Sequence, residues 1–312
     1  MGWLILRRVL VAVPVLIGVS VAVFLALHVL PSDPTAVLLE GVPATPDVIR
    51  ALQEQLGLND PLPVQYWDFV SSALRGDFGT SFTTQQSVTS MIGSQMGATL
   101  QLTITAVGLT AFLGIALGVL AAIFRDTWFD SVVRVVSLLG TAMPIFWSGT
   151  LLMLVFSFSL HLFPASGSTG FKTLVLPSIA LAFLASGLLI RLVRNSMIEV
   201  LGENFVTALD AKGLSPWRIT AGHVLRNALI PAVTVIGLQI GGLLSGAVVT
   251  EVVFARQGLG RLLITGIKEQ DYPVIQGTVL VISVIYLMVN IVVDISYAFI
   301  DPRIRTALEQ AT

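Results

Sequence analysis

Few residues in this 312-residue chain have the type and spacing to do chemistry. Cysteine is absent, which excludes thiol nucleophiles, disulfides and thiolate-bound metal. His28, His161 and His223 stand far apart with no metal-ligand spacing, so no metal site is expected. No Gly-x-x-x-x-Gly-Lys-Ser/Thr phosphate loop occurs, so the chain lacks the commonest cradle for ATP. What is left is a set of polar side chains inside apolar stretches: Gln101, Thr103, Thr105, Ser186, Gln239, Ser245 and Asn290. In lipid such groups either line a solute path or hydrogen-bond a neighbouring helix. Gln101 and Gln239 stand out, because a primary amide in hydrocarbon needs a partner. Asp294 is the one carboxylate within an expected span. It reads as a proton or ion site, or as the partner of Arg7 or Arg8 at the start of the first helix; the pairing is the preferred reading.

The elements that position these residues follow from composition. The chain is 55% hydrophobic and only 11% charged, with a mean hydropathy of +0.90. A soluble domain carries about a quarter charged residues. An ordinary soluble enzyme, a disordered chain and a nucleic-acid binder with a basic face are thereby excluded. A helix needs about 20 apolar residues to cross the hydrocarbon core. Stretches free of Asp, Glu, Lys and Arg run over 9–32, 78–124, 135–171, 173–190, 227–250 and 272–293. The first half of 78–124 is too polar for lipid (Ser81, Thr83, Thr84, Gln85, Gln86), which puts that helix at 98–124. The end of 135–171 reads as a loop, and Pro144 should kink its helix. The fold class is therefore an all-α integral membrane protein with six transmembrane helices. The 22 apolar residues Val9–Leu30 exceed the core of a cleavable signal and read as a retained first helix.

Charge orients the helices. With both termini in the cytoplasm, Arg7, Arg8, Arg125, Arg134, Arg191, Arg194, Lys212, Arg218, Arg226, Arg303 and Arg305 lie inside, 11 of the 17 basic residues. Residues 1–30 then form the first span and 31–97 an extracytoplasmic helical segment. Residues 98–300 form a five-helix core and 301–312 a cytoplasmic tail. In the outer segment, Thr45, Pro46 and Gly57 bound one expected helix, with Ile49, Leu52 and Leu56 on one face. A second helix presents Trp67, Val70 and Leu74. This segment serves as a cap on the membrane helices, a platform for an external partner, or both. On the inner side, 194–226 holds helix-forming residues 196–211, a stop at Gly213, and a restart with Ser215 as cap and Pro216 at the first position. A bent helical pair at this place has the form of a docking element; a helix lying on the membrane surface is the plainer alternative. Gly114/Gly118, Gly237/Gly241 and Gly242/Gly246 have the small-xxx-small spacing of close helix packing.

At this loop the chain resembles a known family. RLVRNSMIEVLGENFVTALDAKGLSPWRITAGHVLRNALIP is similar to the cytoplasmic loop of binding-protein-dependent ATP-binding-cassette importers. More narrowly it resembles the permeases of the dipeptide, oligopeptide and nickel branch. RRVLVAVPVLIGVSVAVFLALHVLPSDP, GLNDPLPVQYWDFVSSALRGDFGTSF, GLGRLLITGIKEQDYPVIQG and NIVVDISYAFIDPRIR resemble that branch's first helix, outer segment, last outer loop and last helix. The long outer segment resembles the first of the two paired permeases. The general signature is Glu-Ala-Ala, three residues, Gly, nine residues, Ile, one residue, Leu-Pro. Gly213 takes the Gly position, Thr207-Ala208-Leu209 the Glu-Ala-Ala positions, and His223, Leu225 and Arg226 the last three. Thr207 stands where the signature has Glu and carries no charge for a salt bridge there.

The resemblance implies a type I importer permease in a bacterial inner membrane, itself no enzyme and without a cofactor. ATP and Mg would sit on two partner ATPase subunits. A second permease would complete the path, an extracytoplasmic peptide-binding protein would deliver solute, and lipid would surround the helices. Leu201, Glu203, Phe205, Val206, Ala208, Asp210, Lys212 and Gly213 are the residues expected to couple ATPase closure to the helices. Gln101, Thr105, Gln239, Ser245 and Asn290 are the candidates for the path. With no ionic pair at mid-membrane, that path reads as wide and weakly selective, with selection left to the binding protein. A nickel chelate or another small solute is the second substrate class. A secondary transporter driven by an ion gradient is the alternative mechanism, which would show inverted repeats and ionisable residues at the midplane. A purely structural subunit would leave the docking-like loop unexplained.

Overall fold

The computed structural model describes residues 2–29, 45–55 and 59–300. The helix stop expected at Gly57, the stripe residue Leu56 and the tail 301–312 lie outside the described residues. Among those described, the regular structure is helical, with one isolated bridge, Thr80–Ser87. Five helices are long and apolar enough to cross a membrane: α1 (Gly2–Val29), α4 (Val88–Ile123), α7 (Lys172–Leu201), α11 (Ile230–Val253) and α13 (Tyr272–Ile300). Between α4 and α7 stand α5 (Trp128–Ala142) and α6 (Ile145–Leu152), the latter continued as a π-helical turn over Met153–Ser159. The α5–α6 pair makes a sixth span if its two bent arms are counted as one. The short elements are α2 (Pro46–Gln55), α3 (Leu62–Leu74), α8 (Asn204–Ala211), α9 (Pro216–Ile219), α10 (Leu225–Ala228) and α12 (Leu259–Glu269).

Two boundaries differ from the hydropathy reading. Helix α4 starts at Val88, not 98, because Val88 and Ile92 are buried and hold its polar first turns as helix. The third span is not a kinked rod. It starts at Trp128, so Arg134 lies within α5, and it breaks at Met143–Pro144 with the two arms at 116°. Proline lacks an N–H and pushes the preceding residue out of the helical region. Met143 is accordingly extended (φ −83°, ψ 131°), and α6 restarts after Pro144. At the other end, Thr127 caps α5 by accepting from the Asp130 N–H.

The described chain divides into two compact units. The first comprises residues up to Thr99 with Gln257–Met288. Its core is Val88, Ile92, Leu259, Leu262 and Val274, with Phe78 and Met91 against them. The outer segment and the last outer loop meet at the buried carboxylate of Asp271. Its Oδ2 accepts from the Ser81 hydroxyl at 2.5 Å and from the Thr83 hydroxyl and N–H at 3.0 and 3.2 Å. In the same unit α3 lies on α1: the Ser20 and Tyr66 hydroxyls are 2.8 Å apart, and Phe24 meets Tyr66 edge-on and stacks on Phe69. The packed stripe of α3 is thus one residue away from the expected Trp67, Val70, Leu74 set. Tyr66 both stacks and hydrogen-bonds, which leaves Trp67 at 67% and Leu74 at 83% exposure.

The second unit comprises Leu100–Arg256 with the chain from Val289. Its densest seam runs between α5 and α7, antiparallel. Asp130 meets Arg194, Val133 packs with Ile190, a Cβ on Gly187 would strike the Ser137 carbonyl, and one on Gly140 would come 2.6 Å from the Phe183 carbonyl. Two backbones this close leave no room for any side chain larger than hydrogen. Gly118 likewise faces Val193 at 2.7 Å, and Gly114 abuts Leu189, as their spacing implied. Gly246 packs on Leu181, but Gly242 faces open space and is exposed, so that pair does not act as one contact. Gly237 and Gly241 are buried.

Candidate coupling element

Helix α7 ends at Leu201, where Gly202 and Glu203 form a turn held by the Glu199 and Val200 carbonyls. The chain restarts at once as α8, so the helix-forming run 196–211 is two helices rather than one. Helix α8 has no fully buried residue, yet it is fastened on one side. Val206 and Leu209 pack on a cluster of Val193, Met197, Ile219, Val224 and Ala228, joined by Leu201 and Leu214. Burying a Val or Leu side chain stabilises by about 1.5–3 kcal/mol when complete, and these half-buried residues contribute part of that each. The rest of its surface is exposed: Thr207 and Ala208 stand opposite the packed stripe, Phe205 and Asp210 flank it, and Glu203 and Lys212 stand at the two ends.

The end of α8 is a paired-bond helix stop. The Gly213 N–H donates to the Asp210 carbonyl at 2.8 Å, and the Leu214 N–H reaches back to the Leu209 carbonyl at 3.3 Å. Gly213 has φ +78°, which the motif demands and which an L side chain resists. A Cβ there would meet nothing within 4 Å, so conformation alone selects glycine. Leu209 and Leu214, the two ends of that bond, both touch the same cluster. Pro216 opens α9 as expected, but the Ser215 side chain makes no capping bond. Four residues on, the helix loosens into a π turn, Thr220–Val224, before α10. Trp217, in the first turn of α9, has 74% of its surface exposed.

The residues expected to couple are thus sorted by the fold. Glu203, Phe205, Ala208, Asp210, Lys212 and Gly213 are presented outward, while Leu201 and Val206 belong to the packed side. The path candidates separate too. The Thr105 hydroxyl donates to the Gln101 carbonyl in its own helix at 2.7 Å. Gln239 spans from α11 to α7, its Nε2 donating to the Ala185 carbonyl at 3.0 Å. Gln101 is exposed, with its Oε1 accepting from Arg256 Nη2 at 3.1 Å. Ser245 is exposed and Asn290 half-buried. Arg7 and Arg8 are exposed in the first unit and Asp294 is half-buried in the second.

Two buried charged groups escape the sequence reading. Arg256 is 1% exposed, and Glu251 one turn earlier is fully buried. Burial pushes the Arg256 guanidinium below its usual value and the Glu251 charge opposes the shift. Glu251 lies in the last turn of α11, so Asp294 is not the lone carboxylate of a spanning helix. Asp130 is the centre of the second buried group. Its carboxylate is fully buried and receives Arg194 through two bonds, Nε to Oδ1 at 2.6 Å and Nη2 to Oδ2 at 2.7 Å. The Asp126 N–H donates to Oδ2 at 3.2 Å, and Arg134 lies 3.6 Å from Oδ1. Spacing along the chain could not find this pair, since its members are 64 residues apart.

The apolar spans and the short exposed helix between α7 and α9 define the class: a polytopic α-helical membrane protein. Residues 114–306 match the family described as binding-protein-dependent transport system inner membrane component, and residues 1–103 match that family's N-terminal component. The chain belongs to this family and is a multi-pass inner-membrane permease of a binding-protein-dependent importer. The glutathione transport system permease protein GsiC of Salmonella choleraesuis is 42% identical over 301 residues, 96% of this chain and 98% of that one. GsiC of Escherichia coli K12 is 41% identical over the same span. Among solved structures, the inward-facing MetNI methionine ABC transporter matches with a TM-score of 0.56 at 16% identity, over 68% of this chain and 96% of that one. That likeness carries the fold, the type I importer permease.

Proposed function

We propose that this chain forms half of the translocation path of an ATP-driven importer for di- and oligopeptides, and that α8 receives the closure of the ATPases. The carrying observation is the two-sidedness of α8. One face is anchored to the core under α7, α9 and α10, and the other is exposed between a turn and a glycine stop. Such a helix moves as a rigid body and passes an applied displacement to the helices it rests on. Glu203, Phe205, Asp210 and Lys212 make the outward contact, with Ala208 at its centre. Leu201, Val206 and Gly213 hold the geometry. The path runs against a second permease, and of the five candidates Gln101 and Ser245 are the exposed ones this chain offers to it. Two cytoplasmic ATPases carry ATP and Mg, and an external binding protein selects the solute. The peptide class is supported by relatives named for glutathione, itself a tripeptide.

The test is uptake by the complete complex in liposomes, with its binding protein and internal ATP. Labelled di- to pentapeptides and glutathione should accumulate only with ATP and only with the binding protein. Uptake of a nickel chelate alone would replace the peptide reading. Gradient-driven uptake by this chain without ATPases would overturn the mechanism.

A further inference from the structure

We propose that the buried Asp130–Arg194 pair is a positioning strut that makes α5 turn with α7 when α8 is displaced, so that coupling depends on it. The inference rests on α8 being the point where force enters. Val206 and Leu209 of α8 press on a cluster that includes Val193 and Met197 of α7. Arg194 lies between them in the chain, and its guanidinium crosses to α5. Two parallel bonds to one carboxylate fix rotation as well as distance, which a single bond or an apolar contact does not. The site is completed rather than incidental. Asp130 is fully buried, Arg194 is 13% exposed, and the Asp126 N–H occupies a further acceptor position.

Below the pair the seam tightens to the direct backbone contacts at Gly187 and Gly140, and Arg191 Nη1 reaches Thr141 Oγ1 at 3.3 Å. The end of the seam nearest α8 is held by the ion pair. Helix α5 leads through the 116° bend into α6, which lies on α11: Ile145 approaches Gly246, and Gly149 faces Phe254. The pair therefore opens a second route from α8, through α7, α5 and α6 to α11. The first route is the direct packing of α8 on α9 and α10.

The experiment measures solute moved per ATP hydrolysed by the assembled complex in liposomes. Asp130→Asn, Arg194→Lys and the double variant Asp130→Leu/Arg194→Met are compared with Phe205→Ala. Apolar replacement of a buried pair commonly preserves stability while a single truncation does not. A merely structural pair would therefore be rescued in the double variant. The strut is not: the double variant should assemble, hydrolyse ATP and move about two- to thirtyfold less solute per ATP, the range for residues that carry coupling, and the less stable singles should be uncoupled in whatever fraction assembles. A double variant with the parental ratio overturns the proposal. So does failure of every variant to assemble, which would make the pair a folding element. If Phe205→Ala also keeps the parental ratio, the role of α8 itself falls. If Phe205→Ala uncouples and the pair variants do not, only the strut falls.

Discussion

Gly213 and Gly187 illustrate two different reasons for having no side chain. Gly213 holds a left-handed conformation with open space around it. Gly213→Ala should therefore cost about 1–2 kcal/mol of local stability and shift α8 without disturbing the core. Asparagine, which tolerates this conformation, should be milder. The check is the fraction of ATPase retained on the purified complex, lower for alanine than for asparagine. Gly187 sits against the Ser137 carbonyl, and the neighbour that would have to move is backbone. Gly187→Ala should destabilise the chain by about 1–3 kcal/mol through overpacking. Gly242→Ala, facing open space, should be neutral. Thermal unfolding of the detergent-solubilised chain separates the two, and equal melting temperatures would contradict the close approach of α5 and α7.

At the scale of the element, α8 is amphipathic across very few residues, and its two faces should fail differently. Val206→Asp or Leu209→Asp buries a charge against Val193 and Met197, and an unpaired buried charge is strongly destabilising. Such chains should unfold earlier or be lost from the membrane. Phe205→Ala removes a ring that is 37% exposed, so the chain should melt normally while ATP-driven uptake falls. Parallel measurements of melting and uptake decide this, and a normal melt for Val206→Asp would contradict the packing. The sequence pattern carries the positions of most helices because lipid demands long apolar runs. It does not carry the break at Met143–Pro144. Whether a proline bends or breaks a helix depends on what the second arm rests on, here α11. The stripe of α3 shifted for a related reason: Tyr66 has a hydroxyl partner in Ser20, 46 residues away.

At the scale of the whole chain, the helical form of the loop 204–219 was legible because its signals are local: helix-forming residues, a glycine stop and a proline restart. The Asp130–Arg194 and Glu251–Arg256 groups were not, because charges near span ends look like loop charges until burial is known. Polar residues in the spans were legible as a set but not by role, since Thr105 and Gln239 turn their hydrogen bonds to helix backbones. The proposed coupling requires α8 to touch the ATPase with its exposed side. The absence of native cysteine permits a direct test. Single cysteines replacing Phe205, Asp210 and Leu209 are cross-linked in the assembled transporter with a short thiol-to-amine reagent, and the products are identified by mass. Positions 205 and 210 should join to the ATPase subunit and position 209 should not. A transporter in which 205 and 210 stay unlinked while it pumps solute would contradict the account.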